Sequence, residues 1–311
     1  MNKLNKKFRF PSKGLGLSAL LGFVMVLSLS SCNESPFPND VPPCEQSVEL
    51  ENFELVWSDE FDGTELDTSK WSYRIGDGCD DAPLPCTAFD SVAPNRCQWG
   101  NNEKQYYTDR PSNVRVEDGK LFITAVREQQ PFNGYEYTSA RIRTLNKGDW
   151  KYCRIDARAK MPIGQGYWPA IWMLSSERRF GGWPCSGEID IMEYLGNNPF
   201  EILSTIHFGT SYWKFISNYF QEPGFNFAQD FHTFTLVWDE SCMRFFVDGQ
   251  QVGDPFSPSS TLPQTYPFQE KFHLIMNVAV GGNLPGDPTP NTVFPQSMEV
   301  DYVRVYQRTQ Q

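Results

Sequence analysis

An all-β sandwich of two stacked antiparallel sheets is the fold this sequence predicts, and three observations predict it. From about residue 51 to residue 308, short runs rich in Val, Ile, Phe, Tyr and Thr are separated by turn residues. Aromatic side chains make up 15% of the 311 residues, beside 23 Gly and 23 Pro, a composition suited to strands and turns. No segment sustains a helical period over three turns.

Each element has its own signal. Asp118-Gly119 inside VRVEDGKLFITAV and Asp248-Gly249 inside MRFFVDGQQV mark type I′ hairpins, whose two central residues must both take positive φ. TSARIRT, KYCRIDARAKM, EILSTIHF, FHTFTLVW, KFHLIMNVAV and MEVDYVRVY read as further strands. No internal repeat or second linker interrupts residues 51–308, so one domain is expected there. Stacking two sheets leaves one face of each uncovered, and a curved uncovered face makes a long groove.

Residues 1–31 read as an export signal: five basic side chains and no acidic one, then an apolar run from about Leu15 to Leu29. About 15 apolar residues are too few to span a bilayer. The run ends in Leu29-Ser30-Ser31-Cys32, which resembles a bacterial lipoprotein signal with Cys32 as the lipidated residue. The expected location is therefore the cell envelope, outer membrane or cell surface, with a lipid anchor in the membrane. Residues 32–50, with Pro36, Pro38, Pro42 and Pro43, read as an extended tether.

The net charge is −11, and without residues 1–31 it is −16, from 22 basic and 38 acidic side chains. Such a field repels phosphate backbones, which argues against nucleic-acid binding. Seven cysteines follow Cys32, an odd number, so at least one is free or bonds between chains. Cys79, Cys86 and Cys97 sit in a turn-rich stretch where export favours a disulfide. Cys153 and Cys242 sit in strand-like runs and are expected to be small buried hydrophobes.

The most informative stretch is Gly187-Glu188-Ile189-Asp190-Ile191-Met192-Glu193-Tyr194. In a regular strand Glu188 and Asp190 share one face while Ile189 and Ile191 share the other. Glu193 breaks that parity and would face the core, where an unpaired carboxylate is costly. One extra residue around Ile191-Met192, a β-bulge, would send both into the core and return Glu193 to the acidic face. Two carboxyls flanking a third suit glycoside hydrolysis with retention, in which one attacks and the other serves as acid and then base. A solvated acidic face or a calcium site would use the same residues. Just upstream, Trp168 and Trp172 in GYWPAIWML, with Trp183 in the following loop, offer indole faces for sugar rings. At least one of the three is expected in the core and one in the groove.

At these residues the sequence resembles glycoside hydrolase family 16, in particular its laminarinase-like endo-β-1,3-glucanases. The resemblance runs through LVWSDEFDG, WGNNEKQYYT, YTSARI, ARAKMPIGQGYWPAIWML, GEIDIMEY, STIHFG, FHTFTLVW, FFVDG, NVAVGGN and MEVDYVRVY, in that order. It implies a β-jelly roll with a concave substrate groove. It also implies Glu188 as nucleophile, Asp190 as assisting carboxylate and Glu193 as general acid/base. Trp168 and Trp172 match sugar-stacking positions, and Trp183 is a further candidate. His207 matches a histidine beside the acidic trio. Asn101, Asn102 and Arg141 match groove positions that bind hydroxyls, although turn and salt-bridge roles fit them too.

No organic cofactor is implied, and the three histidines lack close zinc spacing. Asp301 in MEVDYVRVY is expected to share a face with Val303 and Val305 and so to need a partner. The resemblance implies a structural calcium there, held by Asp301 with the backbone carbonyls of Glu60 and Gly119; a salt bridge is the alternative. The expected activity is hydrolysis of internal β-1,3 linkages of laminarin-like β-glucan by a monomer. A glucan-binding lectin on the same fold, or a related hydrolase for mixed-linkage glucan, agar or carrageenan, is the alternative. The insert from Gly76 to Cys97 departs from the compact family pattern and would narrow one end of a cleft. No G-x-S-x-G elbow occurs in residues 51–308, which argues against a serine hydrolase.

Overall fold

Asp118 and Gly119 have φ of 51° and 67°, and Asp248 and Gly249 have 47° and 79°, so both Asp-Gly pairs form the expected turns. The computed structural model describes residue 44 and residues 53–79, 97–209, 213–258 and 266–308. The export signal, Cys32, the tether apart from Cys44, and residues 80–96 of the insert, Cys86 included, lie outside the described residues.

Strands are numbered in chain order. Among the described residues, one sheet has ten strands. Its path runs β16 (Gln250–Gln251), β15 (Met243–Val247), β14 (His232–Trp238), β9 (Arg154–Lys160), β18 (Gln296–Arg308), β5 (Lys120–Phe132), β6 (Tyr135–Ser139) and β3 (Gln105–Tyr107). β1 (Phe53–Asp59) joins β18, and β4 (Val114–Glu117) joins β5. The second sheet has eight: β13 (Lys214–Phe220), β12 (Ile202–Phe208), β11 (Glu188–Glu193), β10 (Tyr167–Ser175), β17 (Phe272–Val280), β7 (Arg141–Arg143) and β2 (Ser72–Tyr73), with β8 (Asp149–Trp150) on β17. Pairing is antiparallel except between β3 and β6, which run parallel.

The core follows from alternation. On β12, Ile202, Ile206 and Phe208 belong to the core cluster, while Leu203, Thr205 and His207 point the other way. On β10 the inward set is Tyr167, Ile171 and Met173, and on β17 it includes Leu274, Met276 and Val278. The ten-stranded sheet answers with Ile155, Ala157 and Ala159 of β9 and Phe234, Leu236 and Trp238 of β14. Fully burying one such Phe or Leu side chain contributes roughly 1.5–3 kcal/mol, which makes a one-residue register slip in any central strand prohibitive.

Three expectations are corrected. Cys242 is not a lone small hydrophobe: it is bonded to Cys44, which also joins part of the expected tether to the sandwich. Asp301 does not share a face with Val303 and Val305. The pairing of β18 with β9 shifts between Val300 and Tyr302, so Asp301 is a bulge residue, half-exposed, while Val300, Val303 and Val305 are buried. None of Trp168, Trp172 and Trp183 belongs to the core, whose indoles include Trp71, Trp150 and Trp238. Cys79 is bonded to Cys97 and Cys185 is also disulfide-bonded, whereas Cys153 is a buried free thiol.

Candidate active site

β11 enters from Gly187, whose φ is +83°. A Cβ at this position would lie 2.8 Å from Pro267 Cγ and 2.9 Å from Phe268 Cε1, so both backbone and packing require glycine immediately before Glu188. Within the strand, β10 places Trp172 opposite Asp190 and Ile171 opposite Met192, which leaves Ile191 without a partner. Against β12, Asp190 faces Thr205 and Glu193 faces Leu203, three steps on one strand for two on the other. Ile191 is therefore the extra residue. Ile189, Ile191, Met192 and Tyr194 all enter the core cluster, and Glu188, Asp190 and Glu193 share the opposite face.

That face is furnished by the neighbouring strands. The Trp168 indole N–H donates to Glu193 Oε1 at 3.1 Å, and the Trp172 indole N–H donates to Asn277 Oδ1 at 2.7 Å. His207 lies opposite Glu188, with Nε2 3.2 Å from Asp190 Oδ2 and 3.7 Å from Glu188 Oε1. Trp213 donates its indole N–H to His207 Nδ1 at 3.1 Å, so Nδ1 is the acceptor and the proton of the neutral ring sits on Nε2, toward the acids. Trp183 packs 6.0 Å from the His207 ring and 5.6 Å from Trp213.

At the far side, the Arg141 guanidinium lies between two indoles, 4.5 Å from the Trp99 ring centroid and 4.6 Å from that of Trp172. Its charge faces buried Glu103, whose carboxylate accepts from Gln105 at 2.6 Å and from the Tyr107 hydroxyl at 3.4 Å. The Asn277 amide donates to the same Tyr107 hydroxyl at 3.1 Å, so Glu103, Tyr107, Asn277 and Trp172 form one chain of contacts. Asn101 donates to Glu103 at 3.4 Å, and Asn102 donates to Asn283 at 2.7 Å from a turn with φ of 58°. These two asparagines thus hold the wall, and Arg141 holds an aromatic clamp.

Burial dominates the electrostatics. It pushes Glu188 up to about 8, helped by the charges of Asp190 and Glu193 and opposed by His207 and Arg141. Asp190 is raised well above the usual carboxylate range by burial and by Glu193. Burial raises Glu193 as well, while His207, the Trp168 N–H and the Thr205 hydroxyl pull it back. The trio cannot carry three negative charges near neutrality, so it retains protons for donation.

Glu188, Asp190 and His207 also offer three ligand atoms within 4.8 Å of one another, a set able to hold a metal ion. The separate calcium expectation finds a different chemistry. Arg158 Nη1 holds Asp301 Oδ2 at 2.6 Å, and Arg304 grips both oxygens of Glu60 at 3.0 and 2.8 Å. Gly119 occupies its hairpin turn. At Asp301 the contact present is thus the salt bridge, the alternative to calcium; the Glu60 and Gly119 ligands of that expectation are backbone carbonyls, which the Arg304 contact does not occupy.

The sequence reading missed Trp213, Glu103, Tyr107 and Asn277. Trp213 and Phe215 alternate just beyond the STIHFG segment, a pattern that could have pointed to the same face as His207.

The sequence model described as Glycosyl hydrolases family 16 matches residues 100–304. A glucan endo-1,3-beta-glucosidase of Niallia circulans is 43% identical over 81% of this chain, which spans 37% of that protein. A beta-glucanase of Rhodothermus marinus is 40% identical, covering 84% of this chain and 88% of its own length. The laminarinase catalytic domain of Thermotoga maritima superposes with a TM-score of 0.72 at 40% identity, covering 84% of this chain and all of that one.

Proposed function

This chain belongs to glycosyl hydrolase family 16, and on that premise we propose that it is a retaining endo-β-1,3-glucanase that cuts internal linkages of laminarin-like β-glucans. The observation that carries the mechanism is the unpaired Ile191, which puts three carboxyls on one face. In this reading Glu193 donates its proton to the glycosidic oxygen while a carboxylate oxygen of Glu188 attacks the anomeric carbon and the C–O bond to the leaving sugar breaks. Water then attacks the glycosyl-enzyme ester, Glu193 takes its proton, and Glu188 leaves as carboxylate.

The raised Glu193 suits a donor that must still be protonated near neutrality. Glu188 must be ionised to attack, against its own upward shift. The His207 and Arg141 side chains act in the direction that ionisation requires, each lowering Glu188. Asp190 is hydrogen-bonded to Glu188 and is itself raised well above the usual carboxylate range by burial and by Glu193. His207, with its proton on Nε2, faces the same two carboxyls. Trp168, Trp172 and Trp183 supply the aromatic surface that sugar C–H faces prefer. The export signal and Cys32 support a lipid-anchored enzyme of the bacterial cell envelope acting on polymer outside the cell.

The test is release of reducing ends from laminarin. Glu188→Gln and Glu193→Gln are each expected to lower kcat by at least about 100-fold. Activity comparable to wild type in both would refute the assignment.

A further inference from the structure

Large exposed side chains are usually scattered, but three of the largest here gather at one strand and the residue just before it. Trp213 (42% exposed) immediately precedes β13, and Phe215 (56%) and Tyr219 (59%) lie on it. β13 ends the order of the eight-stranded sheet. Its even residues Ile216 and Phe220 pack against the core, so Phe215, Ser217 and Tyr219 point to the face that carries the acids.

Register fixes where they stand. Phe215 is opposite His207, which is opposite Glu188; Ser217 is opposite Thr205, which is opposite Asp190; Tyr219 is opposite Leu203, which is opposite Glu193. Three parallel rows therefore cross β11, β12 and β13. A polymer held between Glu188 and Glu193 and running across the strands would pass next over Thr205 and Ser217, whose hydroxyls bond each other at 2.9 Å, with Phe215 on one side and Tyr219 on the other. Two strand spacings of about 4.8 Å separate β11 from β13, so this stretch lies beyond the ring under attack. Phe215 also continues an aromatic surface already present, 5.4 Å from Trp213 and 5.8 Å from His207.

We propose that β13 carries an additional saccharide subsite, with Phe215 and Tyr219 as its aromatic walls and Ser217 as its polar floor, for a glucosyl unit beyond the scissile linkage. The inference rests on the glucanase reading and adds a chain-length preference to it. Its occupant is carbohydrate rather than protein, because the aromatic pair continues the rows of the acids and keeps hydroxyls between the rings, as an amphipathic sugar requires.

Phe215→Ala and Tyr219→Ala are assayed on a series of linear β-1,3-gluco-oligosaccharides and on laminarin, with melting temperature and sedimentation measured in parallel. The ratio of kcat/KM on a long oligosaccharide to that on the shortest one cleaved is expected to fall about 3- to 10-fold for each variant. Tyr219→Phe, which keeps the ring, should retain the ratio. An equal change at every length, no change at any length, or a change in oligomeric state in place of the length effect would overturn the subsite. Wild type that cleaves no β-glucan would remove the proposed function and the subsite with it, whereas an active wild type with length-independent variants removes the subsite alone.

Discussion

Asp190 shows how one side chain can govern two others. It is 3% exposed, sits between Glu188 and Glu193 on the same strand face, and its charge is the second contribution, after burial, that raises Glu188. Replacing it with asparagine removes that charge and keeps a hydrogen-bonding group of similar size. Ionised Glu188 then becomes easier to form, so the acid limb of the kcat/KM profile should move to lower pH in Asp190→Asn, even as kcat itself falls. An acid limb that stays in place or moves to higher pH would show that Asp190 does not tune Glu188. Trp213 acts at the same scale, since its N–H on His207 Nδ1 fixes which imidazole nitrogen faces the acids.

The strand β11 depends on the residue that precedes it. Gly187→Ala would force an L side chain into φ of +83° and against Pro267 and Phe268. The expected cost is about 1–3 kcal/mol of stability. By shifting Glu188 it should also lower kcat/KM by roughly 10- to 100-fold, as read from thermal melts and laminarin hydrolysis; wild-type values in both would show that the loop relaxes freely. The bulge in β11 was legible because Glu193 violates strand parity and a carboxylate in the core is costly. The same logic failed at Asp301: an exposed bulge beside an arginine involves no such cost, so Val303 and Val305 gave no hint that parity reverses. The Asp-Gly hairpins were legible because positive φ at both positions is a local demand. β13 was not, because KFISNYF carries apolar residues on both faces and therefore shows no alternation. The three site indoles were placed correctly near the acids in chain order. Their common exit from the core depends on strand register, which a run containing Trp at 168 and 172 does not state.

Across the whole molecule, the acidic β-sandwich was legible in the sequence, while the Cys44–Cys242 bond joins residues 198 apart, a separation no local pattern encodes. The burial of the acids has a molecular consequence as well. In the unfolded chain Glu188 titrates near its ordinary value of 4.5, but in the fold it is pushed up to about 8. Below the lower value both states hold the proton, and the fold carries its full stability. Between the two values the unfolded state releases the proton and the folded state resists, so stability is lost as pH rises from about 4.5 toward 8. Burial raises Glu193 in the same direction and adds to the loss. Glu188→Gln cannot ionise and escapes its share. Its melting temperature should therefore exceed that of wild type by a margin that widens between pH 5 and pH 8, while its hydrolytic activity is lost. Thermal melts of the two proteins across this range decide the matter: a margin that stays constant or narrows would mean that the buried acids do not strain the fold, and that their proximity is offset elsewhere in the site.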